Sequence, residues 1–239
     1  MPNPFEQNNI FFDDESHSYF DKTTGKALIS PSRIIKKYAH PFDPTGEILK
    51  RCATKEGVTP EELRAKWRKM GDDSIVRGHS IHDSFEQYIK TGVIQEDENA
   101  DIINDFKKNV QVELDGTLYP EVTLANIEHG IAGRTDLIHV WWDKIIDVAD
   151  FKTNKKINKY SFGKFMLPPL THLPDSMFQH YEIQLSMYAF MLENQGYCPR
   201  NLKLLWINPK RKIQVMPVQY KRTDVVAMLK HYHEEKEKN

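Results

Sequence analysis

Residues 131–152 read IAGRTDLIHVWWDKIIDVADFK. Two strand-like runs, 131–141 and 145–152, flank the short stretch Trp142–Lys144, so the chain is expected to turn back near Asp143 and pair with itself as an antiparallel hairpin. The second run is apolar on both faces and nevertheless carries Asp150. The first carries Asp136, which the turn sets roughly opposite Asp150. Directly paired residues share a face with Cβ atoms about 5 Å apart. A register slip of one residue would send the two to opposite faces. Lys152 follows Asp150 by two places and points the same way. An intra-strand ion pair at a sheet edge would look like this. So would a strand end that brings a metal-binding carboxylate and an ammonium to one phosphate, since facing carboxylates repel unless a cation lies between them.

Upstream, DDSIVRGHSIHDSFEQYIKTG places Ile75, Gly78, His79, His82, Phe85, Glu86 and Ile89 at spacings of three and four, one face of a helix. His82 and Glu86 are one turn apart. His79 shares their side and reads as structural. A lone histidine on an apolar face is most often a satisfied core residue, and H-x-x-x-E by itself is also compatible with a helical zinc site. The carboxylate hairpin downstream favours a hard cation, Mg²⁺ or Mn²⁺. A strand around Glu121 precedes the hairpin, and a late helix, MFQHYEIQLSMYAFMLENQG, carries Gln184 and Tyr188 at i, i+4. Such a pair usually bonds to itself at a core edge; its other use is to hold the catalytic strand or to grip a phosphate.

The remaining elements frame this constellation. NNIFFDDESHSYFDKTTGKALI reads as two short strands, and SPSRIIKKYAH as a helix capped by Ser30 with Pro31 in its first turn. PFDPTG breaks it. TPEELRAKWRKMG reads as a helix with a Thr59–Glu62 capping box that stops at Gly71. NADIINDFKKNVQVEL is a further amphipathic helix, NLKLLWINP and IQVMPVQY are closing strands, and TDVVAMLKHYHEEKEK is a final helix. The 239 residues, 39% hydrophobic and 28% charged, suit one globular domain with a sizeable core. No linker divides it, and the expected parts are an N-terminal hairpin and helices over 1–70, a core over 72–220, and a C-terminal helix with a charged tail over 221–239. Two distant cysteines cannot supply an iron–sulfur cluster. No run suits a membrane span, and MPNPFEQNN lacks an export-signal pattern, so a cytoplasmic location is expected. The net charge of −1 excludes a globally basic surface, though local basic clusters are present.

In order along the chain, GHSIHDSFE, PEVTL, AGRTD, DVADFKT and QLSMY resemble the motifs of the PD-(D/E)XK nuclease superfamily. The chain is most similar to its RecB-like and lambda-exonuclease-like branch, which includes small phage and mitochondrial single-strand DNA exonucleases. The opening HSYFDKTTGKALISPSRIIKKYAHPFD is also similar to that branch, so the resemblance covers roughly Ile10 to Tyr220. It implies an α/β fold with a restriction-endonuclease-like core: a mixed central sheet flanked by helices, with N-terminal helical decoration. The implied activity is metal-dependent exonuclease action on single-stranded or duplex DNA ends in recombination, repair or replication. The alternatives are a flap or junction endonuclease of the same superfamily and a catalytically silent DNA-binding module. The implied metal set is His82, Asp136, Asp150 and the Phe151 carbonyl, with Glu86 a further ligand, directly or through water. Lys152, Asp136, Asp150 and Glu121 are the implied catalytic residues, supported by Gln184, Tyr188 and Arg134. One or two Mg²⁺ or Mn²⁺ ions are expected, with no iron–sulfur cluster and no nucleotide cofactor. The implied partners are DNA and a single-strand annealing or other recombination protein, with no membrane.

Strand-tracking sites combine cations with aromatic platforms. The first helix offers Ser30, Ser32, Arg33, Lys37 and Tyr38, and the long connection after the hairpin offers Lys155, Tyr160 and Phe162. These are the expected DNA contacts. The competing reading is a capped amphipathic helix followed by a packed surface loop.

Overall fold

The computed structural model describes residues 3–238 apart from 6, 8, 14, 17 and 42–45. Three short strands, β1 (Ile10–Asp13), β2 (Ser18–Asp21) and β3 (Ala27–Leu28), form a small antiparallel sheet. Helices α1 (Pro31–Lys37), α2 (Glu47–Glu56), α3 (Pro60–Thr91) and α4 (Ala100–Asn109) follow. A five-stranded sheet then runs in the order β4 (Thr117–Asn126), β5 (Ile131–Trp142), β6 (Ile145–Lys152), β7 (Cys198–Ile207) and β8 (Ile213–Val218). All neighbours pair antiparallel except β6 and β7, which are parallel. A parallel pair needs a long crossover. Here it is the connection 153–176 followed by α5 (Met177–Asn194), and α6 (Arg222–Glu237) closes the described chain. This mixed sheet flanked by helices agrees with a restriction-endonuclease-like core.

The period-two alternation of the sheet separates two apolar layers. Ile138, Val148 and Leu204 face α5 with Ile183 and Met187. Leu137, Ala149, Phe151 and Leu205 face the other way, against Ile81 and Phe85 of α3 and Ile102 and Phe106 of α4. Phe85 stacks on Phe151 with ring centroids 3.8 Å apart and planes 14° apart. Truncating a buried ring of this kind costs about 3–5 kcal/mol. The contact therefore fixes α3 over the end of β6, where the candidate site lies.

The helix expected to end at Gly71 does not end there. The Thr59–Glu62 capping box starts it, Pro60 occupies its first turn, and 32 residues run unbroken to Gly92, which takes the left-handed cap conformation at φ 73°. A mid-helix glycine costs only about 1 kcal/mol relative to alanine. The Ser74 hydroxyl folds back onto the Met70 carbonyl at 2.6 Å instead of capping a new helix. The expected boundary between 70 and 72 thus falls inside one helix. Helix α2 was not expected; its Leu49 and Ala53 pack on Leu63 and Trp67 of α3. The expected break at PFDPTG lies largely outside the described residues. The fourth helix ends at Asn109 and is followed by a 3₁₀ turn, Gln111–Glu113, short of the expected end. Among the described residues no helix is long and apolar enough to cross a membrane.

Candidate metal centre

The hairpin forms in the register read from the alternation. Leu137 pairs with Ala149 and Ile138 with Val148, and continuing by one step sets Asp136 opposite Asp150. Both aspartates are buried. Asp136 is tied at both oxygens: Oδ2 accepts from the Phe151 N–H at 2.6 Å, and Oδ1 lies 3.5 Å from His82 Nδ1. Glu121 joins from β4. Its Oε1 lies 3.4 Å from the same His82 nitrogen, and its Oε2 receives Arg134 Nε at 2.8 Å. Potential ligand atoms of His82, Glu121 and Asp136 all lie within 4.8 Å of one another.

Glu121 reaches this point through an unusual backbone. It sits between the ladder pairs Pro120–Leu137 and Val122–Thr135, at φ 49°. A non-glycine residue in the left-handed region is strained by roughly 1–3 kcal/mol and persists only where its surroundings hold it. Here the ladder continues on either side, and the carboxylate is held by Arg134 and His82.

Charge balance makes the cluster self-consistent. Burial works against an imidazolium at His82, but Asp136, Glu121 and Asp150 outweigh it and lift its pKa to about 10. Burial also opposes ionisation of Asp136, yet His82 and then Lys152 hold it below its ordinary value. For Asp150, burial and the neighbouring Asp136 charge prevail over Lys152 and raise the carboxyl to about 6. Burial opposes the Lys152 ammonium, and the Asp150 and Asp136 charges more than restore it, so its pKa is raised. Without a metal, the proton on His82 and the ammonium of Lys152 serve as counter-charges. One imidazole and two carboxylates form a donor set that could hold a divalent ion, for which the imidazole would have to shed its proton.

The expected site residues divide between this cluster and its surroundings. Asp150 lies beside the cluster and forms an ion pair with Lys152. Glu86 lines the adjoining cleft but is paired with Lys90. Phe151 supplies its N–H to Asp136 and its ring to the Phe85 stack. Gln184 Nε2 donates to the Tyr188 hydroxyl at 3.2 Å. Burial, then the Asp150 charge, raises the Tyr188 pKa well above the ordinary tyrosine value. Gly133 makes room for that ring: a β-carbon there would lie 2.8 Å from Pro31 Cδ and 3.0 Å from Tyr188 Cε1.

A cleft of about 570 Å³ opens over the cluster, lined by Ser30, Ser32, His79, Glu86, Arg134 and Tyr188 among others. Ser30 and Ser32 of the expected DNA grip therefore line the same cleft as the cluster. The other expected contacts are dispersed. The Arg33 guanidinium donates to Ser18 Oγ and the Ser16 carbonyl, both at 3.1 Å. Tyr38 is buried, with its hydroxyl on the Met228 carbonyl at 3.2 Å. Lys37 lies over the Tyr232 ring. Lys155 lines a separate groove with Trp67 and Arg77. Tyr160 and Phe162 are 78% and 89% exposed, and Phe162 stands at a turn tip with φ 52°.

One neighbour escaped the sequence reading. Tyr181 of α5 lies beneath Lys152, its ring centroid 4.5 Å from the ammonium nitrogen. Its signal was its spacing, one turn before Gln184 on the same helix.

No protein-family model matches the chain, and no curated protein matches it. Among solved structures, the chain is similar to the protein SSO0001 at 17% identity over 84% of this chain and 73% of that one, with a TM-score of 0.42. It is also similar to a protein from Eubacterium rectale named as a candidate exonuclease, at 14% identity over 58% of this chain and 51% of that one, with a TM-score of 0.40. At these scores neither likeness establishes a shared fold.

Proposed function

We propose that the chain acts as one domain, a divalent-metal-dependent deoxyribonuclease that hydrolyses phosphodiester bonds from single-stranded or duplex DNA ends. The observation that carries this reading is the gathering of His82, Glu121 and Asp136 within 4.8 Å, beside the buried Asp150–Lys152 pair. His82, Glu121 and Asp136 would hold Mg²⁺ or Mn²⁺, completed by Asp150 and the Phe151 carbonyl, with Glu86 contributing through water. A bound ion lowers the pKa of its water and polarises a phosphoryl oxygen. Lys152 then orients the attacking water or donates to the phosphate as its charge grows. The Tyr188 hydroxyl stays protonated and serves as a hydrogen-bond donor at the cleft. Arg134, with its side chain 54% exposed beside Glu121, offers a second phosphate contact. Ser30 and Ser32 contact the backbone of the bound strand, and Tyr160 and Phe162 stack on its bases.

Preference for ends comes with the family resemblance, and digestion of linear and circular DNA, each end labelled separately, tests it. Progressive release of mononucleotides or short oligomers from linear DNA alone supports the exonuclease. One defined nick at a flap or junction assigns the endonuclease instead. Tight binding with no product in Mg²⁺ or Mn²⁺ contradicts both.

A further inference from the structure

The chain leaves β6 immediately after Lys152 and is held there from three elements. The Thr153 carbonyl accepts from Arg77 of α3 at 2.7 Å. The Asn154 carbonyl accepts from Trp206 Nε1 of β7 at 2.8 Å. Asn154 Oδ1 accepts from the Tyr181 hydroxyl of α5, also at 2.8 Å. Tyr181 therefore makes two contacts here: its hydroxyl donates to the Asn154 side chain, two residues past the lysine, and its ring centroid lies 4.5 Å from the lysine nitrogen.

A lysine ammonium on four flexible carbons does not hold one position unaided. The charged partner of Lys152 among the described residues is Asp150. Once the Asp150 carboxylate is shared with a metal ion, that contact weakens, and an aromatic face is a partner that a cation at the carboxylates does not compete for. Attraction between ammonium and ring strengthens when the pair is shielded from water, and the Lys152 side chain is only 16% exposed.

We propose that Tyr181 is a positioning residue for Lys152, its ring holding the ammonium beside the reacting phosphate while its hydroxyl binds the Asn154 side chain two residues past the lysine. This rests on the nuclease reading. The test combines single-turnover cleavage of a single-stranded oligonucleotide in saturating Mn²⁺ with an activity-independent readout, the ring-current shift of the Lys152 ε-methylene protons with and without Mg²⁺. Tyr181→Phe keeps the ring and should cleave within about threefold of the wild type, whereas Tyr181→Leu should be slower by on the order of tenfold or more. DNA affinity and Mn²⁺ affinity should not change in either variant. In a Lys152→Ala background Tyr181→Leu should have no further effect, because the two act through one contact. The upfield shift should survive Mg²⁺ addition in the wild type and in Tyr181→Phe. Equal slowing with and without the lysine would overturn the proposal, as would loss of the shift when Mg²⁺ binds. An inactive wild type that keeps the shift would contradict the nuclease reading and leave the lysine–ring contact standing.

Discussion

Glu121 and Asp136 approach the same nitrogen of His82, at 3.4 Å and 3.5 Å, from adjacent antiparallel strands. The two carboxylates are brought together by the β4–β5 ladder, and the histidine is lowered onto them by α3. If this trio is a metal site, Glu121→Gln should weaken Mn²⁺ binding by at least tenfold, about 1.4 kcal/mol, with the fold intact. Calorimetric titration checks it; unchanged affinity would remove Glu121 from the ligand set.

Gly133 is the place where α1 and α5 meet the hairpin. A methyl group there meets a proline ring and an aromatic ring, neither of which yields easily. Gly133→Ala should therefore destabilise the protein by about 1–3 kcal/mol through overpacking. For a chain of this size that corresponds to a fall in Tm of roughly 2–4 °C per kcal/mol, readable by thermal unfolding.

Asp147 of β6 is buried at the far end of the hairpin and binds Arg200 through both oxygens, at 3.0 Å and 2.9 Å. Asn201, Lys203 and Trp141 also donate to it. Burial pushes its carboxyl up, but the His139 ring 3.8 Å away, hydrogen bonds from Arg200 and Trp141 and the Lys203 charge hold it far below the usual range. A depressed folded pKa gives stability that is fully present above the unfolded value, about 3.9, and is lost as pH falls below it. Urea midpoints should fall between pH 4 and pH 2 in the wild type. Asp147→Asn should lose about 3 kcal/mol at pH 7, as expected when one member of a buried charge network is removed, and show a flatter acid limb.

In the proposed function the exposed rings of Tyr160 and Phe162 stack on bases of the bound strand. Stacking on a base is worth about 1–3 kcal/mol, so either alanine substitution should weaken single-strand binding by about tenfold. Fluorescence anisotropy with a labelled oligonucleotide in Ca²⁺ measures it. Unchanged binding in both variants would place the strand elsewhere.

The parts of this fold that were legible in sequence are those set by local rules. The hairpin register follows from alternation about Asp143, which itself turns at φ 47°, and the start of α3 follows from Thr59, Pro60 and Glu62. Other parts depend on partners remote in sequence. No glycine marks the left-handed turn at Glu121, because tertiary contacts with His82 and Arg134 hold it there. Gly71 looked like a helix end because glycine is common at such ends, yet the helix hydrogen bonds continue past it. Arg33 and Tyr38 resembled substrate contacts in a basic, aromatic helix, and their polar atoms bond to β2 and α6. The anchorage around Asp147 reaches from the β5–β6 hairpin to β7, whose pairing with β6 only the crossover reveals.

The most direct test of the account is cleavage of end-labelled single-stranded DNA by the full chain in Mn²⁺, compared with Asp136→Asn and Asp150→Asn and with excess chelator. The proposed metal site predicts that the wild type cleaves only with the ion, and that each variant is slower by at least 100-fold, about 2.7 kcal/mol, while still binding the oligonucleotide. Full activity in either purified variant, or cleavage that persists in chelator, would contradict it.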